Sequence, residues 1–231
     1  MKYLALLRKE IRECLPWVLL AAGILFVFGF QMLLNNPIQS IIFPYHLDDQ
    51  ANETIESAYL FRPSTVASVG SILLFISLCL GAALSIRQFW FPSFTRTWAF
   101  LLHRNITRTA VFLVKITAAV LGFVLSILSI WTLLFLYSVF AADYSPPPMP
   151  HVWLEGLFLI SQGLVVYFAS SLSSVLTAKW YTTRLFPVIF VFMSLYFCFY
   201  PKTPALNFLC TGLSMLILAL PLWQEFRNRQ F

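Results

Sequence analysis

Charged residues in this chain gather in clusters separated by long uncharged runs. Six stretches lack Asp, Glu, Lys and Arg: 14–34, 63–86, 116–142, 156–178, 185–201 and 203–224, with lengths of 21, 24, 27, 23, 17 and 22 residues. A helix rises ~1.5 Å per residue, so about 20 apolar residues cross the ~30 Å hydrocarbon core of a bilayer. Inside lipid the backbone finds no water to bond, which forces such runs into helices. The pattern predicts an all-α, polytopic membrane protein with one transmembrane domain over 1–231. Its spans fall at about 16–34, 64–86, 112–141, 153–178, 185–201 and 204–223. The fifth run is short and holds Pro187, and the sixth holds Pro204 and Pro221. A tight hairpin through 200–204 joins them; five helices with one re-entrant segment is the alternative. The first run exceeds the roughly 7–15 residues of a signal-peptide core and is expected to remain as a span.

Composition agrees. Of 231 residues, 60% are apolar and 10% charged, against roughly 25% charged in a soluble domain. The mean hydropathy of +0.82 excludes disorder as well as an ordinary soluble fold.

Charge placement sets an orientation. With an inside N-terminus, 13 of the 15 basic residues fall in inside segments and only Arg62 and Lys202 outside. Six of the nine acidic residues, Asp48, Asp49, Glu53, Glu56, Asp143 and Glu155, fall outside. This is the positive-inside bias, and it places both termini in the cytoplasm. It also accounts for the net charge of +6 without a nucleic-acid partner.

The residues of catalysis are sparse. Cys14, Cys79, Cys198 and Cys210 lie in or beside spans with no CxxC spacing, and are read as free thiols. His46, His103 and His151 fall on different sides and make no metal motif. Neither a G-x-S-x-G elbow nor a phosphate-cradling G-x-x-x-x-G-K-[ST] loop occurs. No catalytic, cofactor-binding or metal residue is therefore assigned. Lys115 and Glu155 border the third and fourth spans and the span middles carry no charge, which argues against side-chain ion coupling.

Two features near the predicted cytoplasmic side are more informative. Leu4, Leu7 and Ile11 recur at helical spacing beside Arg8, Lys9 and Arg12, which predicts an N-terminal amphipathic helix in the membrane interface. Pro16 is expected to break it from the first span. The loop 87–111 is basic and aromatic, with Trp98, Leu101 and Leu102 at helical spacing, and predicts a short helix along the membrane. Asn105 is expected to cap the next helix. Small residues also recur at i, i+4: Ser77, Gly81 and Ser85; Ala118, Gly122 and Ser126; Ser170, Ser174 and Ala178. Such stripes let helices pack closely within the bundle, or form a dimer seam if one faces outward.

The run TRTWAFLLHRNITRTAVFLVK resembles the first cytoplasmic loop of type-2 ABC transporter permeases, the exporter-type membrane subunits. Thr97, Leu101, Leu102, Ile106, Thr107, Arg108 and Lys115 match the family pattern; Arg96 and Asn105 stand where it often has Gly and Pro. The opening LLRKEIRECLP is similar to that family's interfacial helix, with Lys9 and Glu10 as its Lys-Glu pair. The resemblance implies a permease subunit with six spans, working as a homodimer or paired heterodimer on two copies of an ABC ATPase. It implies that Phe94, Arg96, Thr97, Trp98, Leu101, Leu102, Arg104, Ile106, Thr107 and Arg108 form the ATPase-docking loop. ATP and Mg would sit on the partner chain, and the home would be a prokaryotic inner or plasma membrane.

Uncharged, aromatic-rich spans point to an amphiphilic or hydrophobic cargo such as a drug, lipid or peptide, not a small ion. The outside loop of about 35–63 is long enough to hold a helix or gate, with Asp49, Glu53 and Glu56 at helical spacing. An integral-membrane enzyme built on Asp48, Asp49, Glu53, Glu56 and His46 is the alternative, as is a membrane sensor or assembly protein.

Overall fold

The uncharged runs do coil into helices, and the helices outlast the runs. A computed structural model describes residues 2–35, 63–95, 107–140, 150–176, 184–199 and 204–228. Helix α1 spans Lys2–Asn35 and α2 spans Pro63–Ser85. A wide π-helical turn, Ile86–Trp90, carries α2 into the short α3, Phe91–Phe94. Helix α4 (Arg108–Phe123) runs through a second wide turn, Val124–Leu128, into α5 (Ser129–Phe140). Then follow α6 (Pro150–Val175), α7 (Phe186–Phe199) and α8 (Pro204–Asn228). The described residues are all-helical apart from short turns.

Five helices are long and apolar enough to cross a membrane: Tyr3–Gln31, Gly70–Phe94, Arg108–Phe140, Val152–Val175 and Ala205–Asn228. The fifth predicted span, 185–201, is shorter. With 14 residues, α7 is about 21 Å long against the ~30 Å of a bilayer core.

Three local expectations change. Pro16 does not separate an interfacial helix from the first span, because α1 continues through it. One proline removes a single backbone bond, and packing on neighbouring helices carries the helix across it. The second helix does not end at Arg87 either; two further turns extend it to Phe94. Its wide turn stands just before Pro92, which has no N–H for the carbonyl of Gln88. Thr95 then ends it, its N–H and hydroxyl both donating to the Phe91 carbonyl at 3.0 and 2.9 Å. Finally, α4 is capped by Thr107 and not by Asn105. The Thr107 backbone is extended and its Oγ1 accepts from the Ala110 N–H at 3.3 Å.

Small polar residues lie inside the bundle within its apolar core, and many large apolar residues face outward. Ser77, Ser85, Ser126, Ser171 and Ser174 are buried, while Phe75, Leu125, Phe140 and Phe192 are exposed. In water that exposure would be anomalous; in lipid, where apolar burial drives nothing, interiors select residues that pack closely or hydrogen-bond. The architecture is that of a multi-pass membrane protein. Helix α6 is the most enclosed of the five long helices. It packs closely on α2, where a Cβ on Gly81 would strike the Gly163 carbonyl and one on Gly163 the Ser77 carbonyl. Two turns away on the same face, Gly156 admits the fully buried Trp131 indole of α5. Ser77, Gly81, Ser85, Ala118, Gly122, Ser126 and Ser174 lie within the bundle, where these stripes supply packing, while Ser170 is half-buried.

Candidate functional site: a buried ion pair at one end of the bundle

Helix α1 brings an acid into the bundle and α4 brings a base. Glu10 lies on the same stripe of α1 as Leu6, Cys14 and Ala21, all buried. Lys115 lies on the inner face of α4 with Val111, Phe112, Val114 and Ala118. Lys115 Nζ donates to Glu10 Oε1 at 2.9 Å, and their side chains are only 2% and 5% exposed. Two isolated charges here would cost several kcal/mol each, and close pairing is what permits them. The Phe89 ring lies 5.8 Å from the ammonium and adds its negative face.

A hydrogen-bonded chain packs against this pair. The Tyr167 hydroxyl of α6 donates to Gln88 Oε1 at 2.6 Å, and Gln88 Nε2 donates to Cys14 Sγ at 3.3 Å. Gln88 belongs to the wide turn after α2, so α1, α2, α4 and α6 all meet within this one network. Tyr167 and Gln88 are buried, and the Phe89 ring meets Tyr167 and Phe226 edge-on. Phe226 also packs on Phe112, which joins α8 to the same end. An outer, more exposed ring lies nearby: Glu13 pairs with Arg87 at 3.3 Å and with Lys9 at 3.7 Å.

The sequence-predicted residues divide accordingly. Lys9 and Glu10 are neighbours in sequence but not partners in space; Lys9 turns to Glu13, and Glu10 faces inward to Lys115. Thr107 is the helix cap, Phe94 is exposed, and Arg108 Nη1 donates to the Arg227 carbonyl in the last turn of α8 at 2.8 Å. Arg96, Thr97, Trp98, Leu101, Leu102, Arg104 and Ile106 lie outside the described residues, as do the 35–63 loop's acidic residues, His46 and His103; His151 falls in the first turn of α6.

A second buried polar cluster lies further along the bundle. Gln162 Nε2 of α6 donates to Thr211 Oγ1 of α8 at 2.9 Å, and Thr211 donates to the Asn207 carbonyl at 2.9 Å. Gln162 Oε1 and Asn207 Oδ1 accept no hydrogen bond.

Charge counting missed Gln88, Tyr167, Cys14, Gln162, Asn207 and Thr211. The available signal was the amides: Gln88, Gln162 and Asn207 each stand among apolar residues, where an unbonded amide is costly and a partner is required. The ion pair itself is neutral overall, and it holds helices together without activating a nucleophile. Among the described residues no three His, Cys, Asp or Glu gather as a metal site. Comparison with protein-family models, curated proteins and solved structures finds no match.

Proposed function

We propose that this chain is the membrane-spanning permease subunit of an ATP-driven transporter of the type-2 ABC class. It acts on an amphiphilic or hydrophobic substrate and carries it out of the cytoplasm. It works with a second permease chain and two copies of a separate ATPase, which binds ATP and Mg. Both termini and the basic loop 96–106 face the cytoplasm in this reading, which follows the placement of basic residues.

The observation that carries the reading is the Glu10–Lys115 pair. The two stretches that resemble the family, the opening helix and the run ending at Lys115, are far apart in sequence. Their acid and base join at the end of the bundle from which the basic loop leaves. A push on that loop reaches α4 directly, α1 through Glu10, and α2 and α6 through Gln88 and Tyr167. A rigid, fully bonded polar network transmits displacement better than loose apolar contacts do. The basic, aromatic loop suits docking into an apolar groove with an acidic rim.

The test is reconstitution in liposomes with the co-purifying ATPase. The chain alone should hydrolyse no ATP. The complex should, with the rate raised by amphiphiles, and Trp98→Asp or Leu101→Asp should release the ATPase. Hydrolysis by the isolated chain, or stimulation by sugars and ions alone, would refute the reading.

A further inference from the structure

A groove of about 240 Å3 opens on the side of the bundle where α2, α6 and α7 meet. Leu78, Val166, Val191 and Leu195 form its apolar walls, and the exposed Val188 and Phe192 form its rim. It is smaller than the roughly 300–1,000 Å3 of pockets that enclose a drug-sized ligand. Its shape suits part of a molecule: one chain lying against the side of the protein.

One end of the groove is polar. Trp90 and Ser170 line it, with Trp90 Nε1 donating to the Ser170 carbonyl at 3.0 Å. Ser173 also lines it, and its Oγ donates to the Arg184 carbonyl at 2.8 Å. Arg184 stands just before α7, and the Ser173 bond sets its backbone beside the groove's polar end. Its Nε donates to the Leu176 carbonyl at 2.8 Å, which closes the end of α6. A guanidinium has five N–H donors in a planar fork, and the Nε bond uses one of them. The half-buried Arg184 thus sets a fixed positive charge beside an apolar slot.

An apolar chain joined to a compact anion is the ligand this arrangement matches. Arginine holds phosphate oxygens through two parallel bonds, and tryptophan favours the headgroup level of a bilayer. We propose that the groove binds one acyl chain of an anionic phospholipid whose phosphate is held by Arg184. The bilayer supplies this lipid, and the cytoplasmic leaflet, where the charge bias places Arg184, is the anionic one. The site stands independently of the transport reading, because it needs neither ATPase nor cargo.

Native mass spectrometry of the full-length chain, offered phosphatidylglycerol or a diacylglycerol with identical acyl chains and no phosphate, tests this. The wild-type chain should retain phosphatidylglycerol roughly tenfold better, the scale of one charge-assisted contact. Arg184→Gln should bring the ratio close to one, while Arg184→Lys keeps the charge and should keep most of the preference. Val188→Trp, which fills the slot from its rim, should lower retention of both lipids. Excess inorganic phosphate should not displace the lipid, having no chain for the groove. Equal retention of the two lipids by wild type, an undiminished preference in Arg184→Gln, wild-type binding by Val188→Trp, or displacement by phosphate would each overturn the proposal. Should Arg184→Gln melt early through loss of the Leu176 bond, Arg184→Lys and Val188→Trp decide the matter.

Discussion

Glu10 and Lys115 stand 105 residues apart in the chain and 2.9 Å apart in the fold. Each is buried, so neither side chain can exchange its partner for water without moving a helix. The pair fixes α1 and α4 at one depth relative to each other. A shift of one helix by a single turn, ~5.4 Å, would part the charges entirely.

Removing one partner should therefore be costly. Glu10→Gln or Lys115→Met should each destabilise the protein by about 3–5 kcal/mol, the cost of a buried charge left without its counter-charge. The double variant Glu10→Leu/Lys115→Leu should recover most of that loss. Fluorescence-detected melting in detergent checks it. Single variants that melt like wild type would show that the pair contributes nothing.

The outer ring should behave differently. Glu13 is about one-third exposed beside Arg87 and Lys9. Exposed pairs are weak, so Glu13→Gln should change stability by less than about 1 kcal/mol. The same melting assay, run in parallel with Glu10→Gln, should separate the two glutamates clearly.

The Tyr167 hydroxyl donates to Gln88 at 2.6 Å inside the bundle. Tyr167→Phe should cost about 1–3 kcal/mol, because it leaves the Gln88 oxygen without that donor. Adding Gln88→Leu should recover part of the loss, since both polar ends are then gone. A double-mutant cycle on melting data measures the coupling; strict additivity would argue against the bond.

Glycines in the same fold should respond with opposite signs. A Cβ on Gly81 meets the Gly163 backbone, whereas one on Gly23 meets nothing within 4 Å. Gly81→Ala should lose about 1–3 kcal/mol by forcing α2 away from α6. Gly23→Ala should be neutral or gain up to about 1 kcal/mol from helix propensity. Thermal melting of the two variants side by side checks both signs.

How far the sequence revealed this fold depends on what each signal measures. Uncharged runs located the helices well, because length in lipid is fixed by bilayer thickness. They place helix ends poorly, because a charge need not mark an end when another helix supplies its partner. Arg87 and Lys115 lie inside helices, each held by an acid from α1. A single run cannot reveal cancellation between two distant helices. The N-terminal charges misled for a related reason: Glu10 sits among basic residues along the chain, but on a stripe of its own around the helix. Pro16 was read as a break, although the packing of Cys14 and Val18 inside the bundle carries the helix past it. The wide turns Ile86–Trp90 and Val124–Leu128 left no mark in the hydrophobic pattern. The small-residue stripes were legible, since close approach of backbones demands small side chains wherever it occurs.

The most enclosed helix also has a history during synthesis. Helix α6 has the least apolar membrane-spanning stretch of the five long helices, and its serines and Gln162 suit a position surrounded by protein. When it leaves the ribosome, α2 is already in the membrane and can receive its glycine face. Gln162 must wait for Thr211, 49 residues later. Until α8 arrives, one flank of the nascent protein shows lipid a polar amide that lipid cannot satisfy. A chain cut short before α8 would keep that flank open, with the Gln162 amide lacking its Thr211 partner.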